Sequence, residues 1–282
     1  MSERSFLGLS QAGFHRVAYT HWGCDDADRT VVCVHGMTRN GRNFDYLAIH
    51  LADCCCSVAC PDIVGRGRSD WLLNPQHYSY TQYLADMTAL IARLDADEID
   101  WVGTSMGGII GMMLAAQPKS PIRHLVLNDI GAFIPKAGLA RIANYVGTEP
   151  VFDGIDEVIA YLHKILAGFG PMTEMQWAHI ALHSVRYLQD GRLGLAYDPG
   201  IGEIFKGTPI GDVSLWGLWD MIKCPVLVLR GVDSDILLAE TAMEMAQRGS
   251  KARVVEIPLT AHAPALMLND QVNLVCDFLL TK

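Results

Sequence analysis

Gly103-Thr104-Ser105-Met106-Gly107 sets a serine midway between two glycines. A serine hydroxyl is a weak nucleophile until a neighbouring base takes its proton. It also needs donors facing the oxygen that gains charge when it attacks a carbonyl. Read as a sharp turn from strand into helix, this spacing lifts Ser105 out of a sheet in strained backbone. The small flanking residues let strand and helix come close. The helix N-terminus brings its positive end to the site, and the Met106 N–H becomes an oxyanion donor. His35-Gly36-Met37 ends an earlier apolar run, and the Met37 N–H is the candidate second donor. The His35 side chain reads as a buried brace for that loop. His262 is the candidate base, because it follows the last strand-like run, Arg253 to Ile257.

These groups need a scaffold, and the apolar pattern supplies one. Thr30 to His35, Cys56 to Cys60, Glu98 to Gly103 and Ile122 to Leu127 read as buried strands. Helical spacing runs over Phe44 to Ala52, Tyr80 to Leu94 and Met106 to Gln117. Tyr83, Leu84, Met87, Leu90, Ile91 and Leu94 share one face of the second of these. Such alternation predicts an α/β fold, a mostly parallel sheet with helices on both faces. The rhythm breaks from about Phe133 to Leu218 and returns at Pro225 to Arg230, Arg253 to Ile257 and a last helix, Asn269 to Leu280. The expected organisation is a core of residues 1–131 and 219–282, interrupted by a helical lid over 132–218.

Half of the 282 residues are hydrophobic and the net charge is −9. That suits a sizeable core and disfavours nucleic acid or an anionic membrane as partner. No apolar run is long enough to span a bilayer, and Met1-Ser2-Glu3-Arg4-Ser5 begins no export signal. The eight cysteines therefore read as reduced thiols and the expected location as cytoplasmic. His179 and His183, four apart, lack the glutamate of a metalloprotease helix and read as lid surface, so no metal is expected.

His35-Gly36, Pro61-Asp62-Ile63-Val64-Gly65-Arg66-Gly67-Arg68-Ser69, Gly-Thr-Ser-Met-Gly-Gly from residue 103, and Leu259-Thr260-Ala261-His262 together resemble the α/β-hydrolase superfamily. The resemblance covers nearly the whole chain and departs at Ala261, where glycine is usual. It implies the order nucleophile, acid, histidine, and assigns Asp62, Gly65, Gly67 and Ser69 to a loop that shapes the fold. The family's usual acid position, three residues beyond Gly231, holds Ser234, with Asp233 and Asp235 beside it. A branch that includes (acetamidomethylene)succinate hydrolase instead places the acid after the strand that here ends at Leu127. Asp129 stands there, and it is preferred to Asp235 as the acid.

The resemblance also implies hydrolysis of a small carboxylic ester through an acyl-enzyme, by Ser105, His262 and Asp129, without a cofactor. Carbon–carbon bond hydrolysis, amide cleavage and hydrolysis of 3-hydroxyalkanoate oligomers inside cells are the neighbouring chemistries. A non-catalytic binder is the contrasting class. Arg186 is the candidate carboxylate anchor in the lid. Phe133, Tyr145, Phe152, Tyr161, Phe169, Trp177, Tyr187, Trp216 and Trp219 are its aromatic candidates. The partner is a small acyl substrate; the oligomeric state is open, a homo-oligomer included.

Overall fold

In the computed structural model, residues 1–207 and 209–281 are described. The chain opens with a hairpin, β1 (Ser2–Ser10) and β2 (Gly13–Trp22). There follow β3 (Thr30–Val34), α1 (Asp45–Asp53), β4 (Ser57–Pro61), α2 (Tyr80–Leu94), β5 (Ile99–Thr104), α3 (Met106–Ala115) and β6 (Ile122–Asn128). An insert then carries β7 (Phe133–Ile134), α4 (Lys136–Ala143), β8 (Val151–Phe152), α5 (Ile155–Ile165), α6 (Glu174–His183), β9 (Val185–Tyr187), β10 (Leu193–Leu195), β11 (Val213–Ser214) and α7 (Trp216–Trp219). The alternation resumes with β12 (Val226–Gly231), α8 (Ala239–Gln247), β13 (Arg253–Ile257) and α9 (Asn269–Leu280).

Eight strands form one sheet in the order β1-β2-β4-β3-β5-β6-β12-β13. From β4 to β13 all neighbours are parallel, and β1 and β2 add an antiparallel edge. The central strands are mainly apolar because they are covered on both faces. Their side chains alternate between two cores. Val31 and Cys33 pack with Leu47 and Leu51 of α1 and Val275 and Leu279 of α9. Val32 and Val34 pack on the opposite side with Met87 and Leu90 of α2 and Ile110 of α3. The β1–β2 hairpin was not legible from apolar runs, since β1 alternates exposed and half-buried residues along nearly its whole length. Among the described residues, no helix is long and apolar enough to cross a membrane.

The insert is not purely helical. Alongside α4, α5 and α6 it holds a three-stranded sheet, β8-β10-β9, and a two-stranded one, β11-β7. These strands are two or three residues long, too short to show a period of two. The two ends of the insert meet where the Leu215 N–H donates to the Ala132 carbonyl at 2.7 Å.

Candidate active site

Ser105 occupies the turn from β5 into α3 with φ 51° and ψ −116°, a conformation that costs a non-glycine residue on the order of 1–3 kcal/mol. Packing holds it there. A Cβ on Gly107 would stand 2.0 Å from the Val34 carbonyl oxygen, so only glycine lets α3 approach β3 this closely. The buried Trp101 indole donates to the Gly107 carbonyl at 3.0 Å, and the Ser105 N–H donates to the Asn128 carbonyl at 3.1 Å.

His262 follows β13, in a loop pinned from two sides. The Asn128 amide nitrogen donates to the Pro264 carbonyl at 2.8 Å. From the insert, the Gly168 carbonyl accepts the Ala261 N–H at 2.8 Å, an approach that a Cβ on Gly168 would block at 2.9 Å from the Ala261 Cβ. The imidazole is thereby aimed along a row of polar atoms. Its Nε2 lies 2.9 Å from Ser105 Oγ, and its Nδ1 lies 2.8 Å from Asp129 Oδ2. With the Nδ1 proton against the carboxylate, Nε2 is free to accept from the serine hydroxyl.

Asp129 is wholly buried, one residue past β6. Both of its oxygens are occupied. Oδ1 accepts the Gly231 N–H at 2.7 Å, and Oδ2 accepts the Ser234 hydroxyl at 2.5 Å as well as the histidine. Ser234 is itself oriented, its Oγ accepting the N–H groups of Ile236 at 3.2 Å and Leu237 at 3.0 Å. The serine at the family's usual acid position thus contacts the carboxylate that reaches the histidine from β6. Asp235, the alternative acid, points elsewhere. Its carboxylate takes both bonds of the Arg141 guanidinium from α4, at 2.5 and 2.7 Å. That pairing holds its pKa below the ordinary carboxylate value and leaves no hydrogen bond to His262 among the described residues.

Met106 is the first residue of α3, so its N–H has no intrahelical acceptor. Met37 and Ser105 line one pocket. The two methionines are braced by Arg66, a completely buried side chain that the sequence reading left without a role. Its Nε donates to the Met37 carbonyl at 2.8 Å, its Nη2 lies 3.5 Å from the Met106 sulfur, and its Nη1 donates to Val64 O at 2.8 Å and Tyr83 Oη at 2.9 Å. The Tyr83 ring also sits under the guanidinium, 5.0 Å from its carbon. His35 braces the same loop. Burial lowers its pKa to about 3, so it is neutral. Nδ1–H donates to the Gly36 carbonyl at 2.7 Å and Nε2 accepts the Ile63 N–H at 2.9 Å.

The pocket at Ser105 is about 40 Å³ and is walled by Met37, Thr38 and Arg39 from the loop after β3, by Ile142, Tyr145, Ile165 and Phe169 from the insert, and by His262. Of the aromatic candidates, Tyr145 and Phe169 are at the pocket, whereas Tyr187 is 82% exposed. Arg186 is a correction: it lies exposed on β9, its guanidinium 4.8 Å from the centre of the Trp71 ring, and does not line the pocket. A surface aromatic stack satisfied it, which spacing alone could not reveal. The arginine that does line the pocket is Arg39, four residues past His35.

His179 and His183 are also not lid surface. They pack at an edge-on angle with ring centres 4.6 Å apart, and His179 Nε2 lies 3.1 Å from the Arg42 carbonyl and 3.4 Å from the Asp45 carboxylate. The three side chains could face a cation, but the Arg42 guanidinium already holds Asp45 at 2.6 to 3.0 Å. Burial and Arg42 lower the His183 pKa to about 4. The group docks the insert onto α1.

Comparison with known proteins places the chain in a family of the same fold. The model of the alpha/beta hydrolase fold family matches residues 29–266. A 3-hydroxybutyrate-oligomer hydrolase of Cupriavidus necator is 44% identical over 278 residues, 96% of this chain and 94% of that protein. A 2-(acetamidomethylene)succinate hydrolase of Mesorhizobium japonicum is 28% identical, over 81% of this chain and 79% of the other. Among solved structures, an alpha/beta hydrolase from Novosphingobium aromaticivorans superposes with a TM-score of 0.87 at 35% identity, covering 99% of this chain and 97% of its own.

Proposed function

The chain belongs to the alpha/beta hydrolase fold family, and from that premise we propose that it hydrolyses short 3-hydroxyalkanoate oligomers through an acyl-enzyme on Ser105. The observation that carries the reading is the unbroken row from Ser105 Oγ through His262 to buried Asp129. In the first half-reaction His262 Nε2 takes the serine proton as Oγ attacks the ester carbonyl. The N–H groups of Met37 and Met106 receive the oxyanion. The imidazolium, stabilised by Asp129, then protonates the leaving alkoxide oxygen, which departs as the hydroxyl of the released unit. In the second half-reaction the neutral His262 activates water, which releases the acid and restores Ser105.

The choice of ester follows the relative that is 44% identical over 96% of this chain. The insert would act as the lid, since Tyr145, Ile165 and Phe169 close the pocket over Ser105. The buried thiols Cys33, Cys56, Cys60 and Cys276 suit a reducing compartment, and the cytoplasm is the proposed location. The test is release of monomer from 3-hydroxybutyrate dimer and trimer, beside p-nitrophenyl ester turnover, by wild type and Ser105→Ala. Loss of at least about 10⁴-fold in the variant, with folding intact, is expected. Activity surviving in Ser105→Ala would remove this serine from the chemistry.

A further inference from the structure

We propose that Arg39 is a carboxylate-binding residue, so that the enzyme selects esters carrying a free carboxylate at the acid terminus and discriminates against the same esters once that end is neutralised. The inference rests on the ester-hydrolase reading above and narrows it, because a 3-hydroxyalkanoate oligomer ends in such a carboxylate.

Arg39 is 92% buried, being 8% exposed, and it lines the Ser105 pocket and two smaller cavities that share residues with it. A buried guanidinium is ordinarily paired with a carboxylate, because an isolated charge away from water is costly. Arg66, buried beneath the pocket loop, has all three guanidinium nitrogens engaged, by two carbonyls, a phenol and a thioether. Arg39 is different. Its Nη2 reaches only neutral oxygens, Ser184 Oγ at 2.9 Å and Asn43 Oδ1 at 3.3 Å. Its Nε is shielded from solvent and finds no acceptor. No carboxylate pairs with it among the described residues.

The consequences are consistent with a waiting cation. Burial pushes the guanidinium down to about 10, yet at neutral pH it remains protonated. Ser184 fixes the plane of the fork: its hydroxyl donates to the Ile180 carbonyl at 2.5 Å, which turns its lone pair toward Arg39. A planar fork held at Nη2, with a buried Nε–H that has no acceptor, fits a carboxylate oxygen. The Tyr145 and Phe169 walls would keep water from that pair. The rest of the wall is apolar or neutral, so the one strong discriminating term it offers is for negative charge.

The experiment compares 3-hydroxybutyrate dimer with its methyl ester in wild type, Arg39→Gln, Arg39→Lys and the exterior control Arg186→Gln. The quantity read is the ratio of kcat/KM for free acid over methyl ester within each protein, which cancels differences in folded fraction. We expect a ratio of roughly 10 to 100 in wild type and Arg186→Gln. It should fall toward one in Arg39→Gln and lie between in Arg39→Lys. A wild-type ratio near one, or a ratio kept by Arg39→Gln, overturns the proposal.

A binding measurement separates this from failure of the hydrolase reading. In the Ser105→Ala background, 3-hydroxybutyrate at about ten times its Kd should raise Tm by roughly 2–4 °C. The same addition should do nothing when Arg39→Gln is also present, and methyl 3-hydroxybutyrate should do nothing in either. If wild type cleaves neither ester but the Arg39-dependent shift appears, the anion site stands and the hydrolase reading falls. If no Arg39-dependent shift appears, the anion site falls whatever the turnover.

Discussion

Two buried polar regions meet at Ser105, and they are built differently. Along the ends of β5, β6 and β12, both Asp129 oxygens have donors, and His262 has a partner on each ring nitrogen. On the wall formed by the β3 loop and the insert, Arg39 has neutral partners on one nitrogen and an open Nε–H. A saturated network is rigid and pre-aims its groups, which is what proton transfer requires. An under-saturated buried charge is costly in the free protein, and the cost falls only when a ligand of opposite sign arrives. On the proposed reading, the saturated row is the part that performs chemistry and the Arg39 wall is the part that selects what is presented to it.

The sharpest way to break the contrast is at the carboxylates. Asp129→Asn should lower kcat by about 10⁴-fold, because an amide favours the wrong imidazole tautomer. Asp235→Asn, which removes only a half-exposed pair with Arg141, should change kcat by less than about twofold. Steady-state kinetics on one ester, with both variants side by side, decides it. Comparable losses would mean that the saturated row is not the acid's true setting.

A second probe addresses the loop beneath the pocket. His35 has a folded pKa of about 3 against the ordinary value of 6.5. The unfolded chain therefore binds the proton first as pH falls. His35 contributes stability that is complete above pH 6.5 and is lost between there and pH 3, by about 2 kcal/mol at pH 5. Urea unfolding of wild type and His35→Asn at pH 7 and pH 5 should show the smaller pH effect in the variant. An equal pH effect in both would mean that His35 is not held neutral.

The finest probe is Ser234. Ser234→Ala leaves Asp129 with one donor fewer, which should reduce kcat roughly tenfold while KM holds. A change confined to KM would place Ser234 with the selective wall instead of the rigid row.

Much of this was legible in residue order because it depends on local rules. Fully buried parallel strands must be apolar runs, and the glycines around Ser105 are demanded by strand–helix contact. A serine and a histidine following strand-like runs were therefore legible, whereas the acid stood between Asp129 and Asp235. Ser234 in place of an acidic residue pointed toward Asp129, and the structure brings that carboxylate to the imidazole. The β1–β2 edge and the short strands of the insert were not legible, because half-exposed or two-residue strands leave no clean period.

What only the tertiary structure decided was the fate of each long charged side chain. Arg39, Arg66 and Arg186 carry the same group, and nothing in their neighbours along the chain ranks them. Packing made Arg66 a saturated brace, left Arg186 on a surface tryptophan, and enclosed Arg39 beside the pocket with an open donor. Hydrophobic pattern is encoded residue by residue, whereas the partner of a flexible cation is chosen by groups hundreds of ångströms of extended chain away: Ser184 lies 145 positions beyond Arg39 and reaches it only once the insert has folded onto the core.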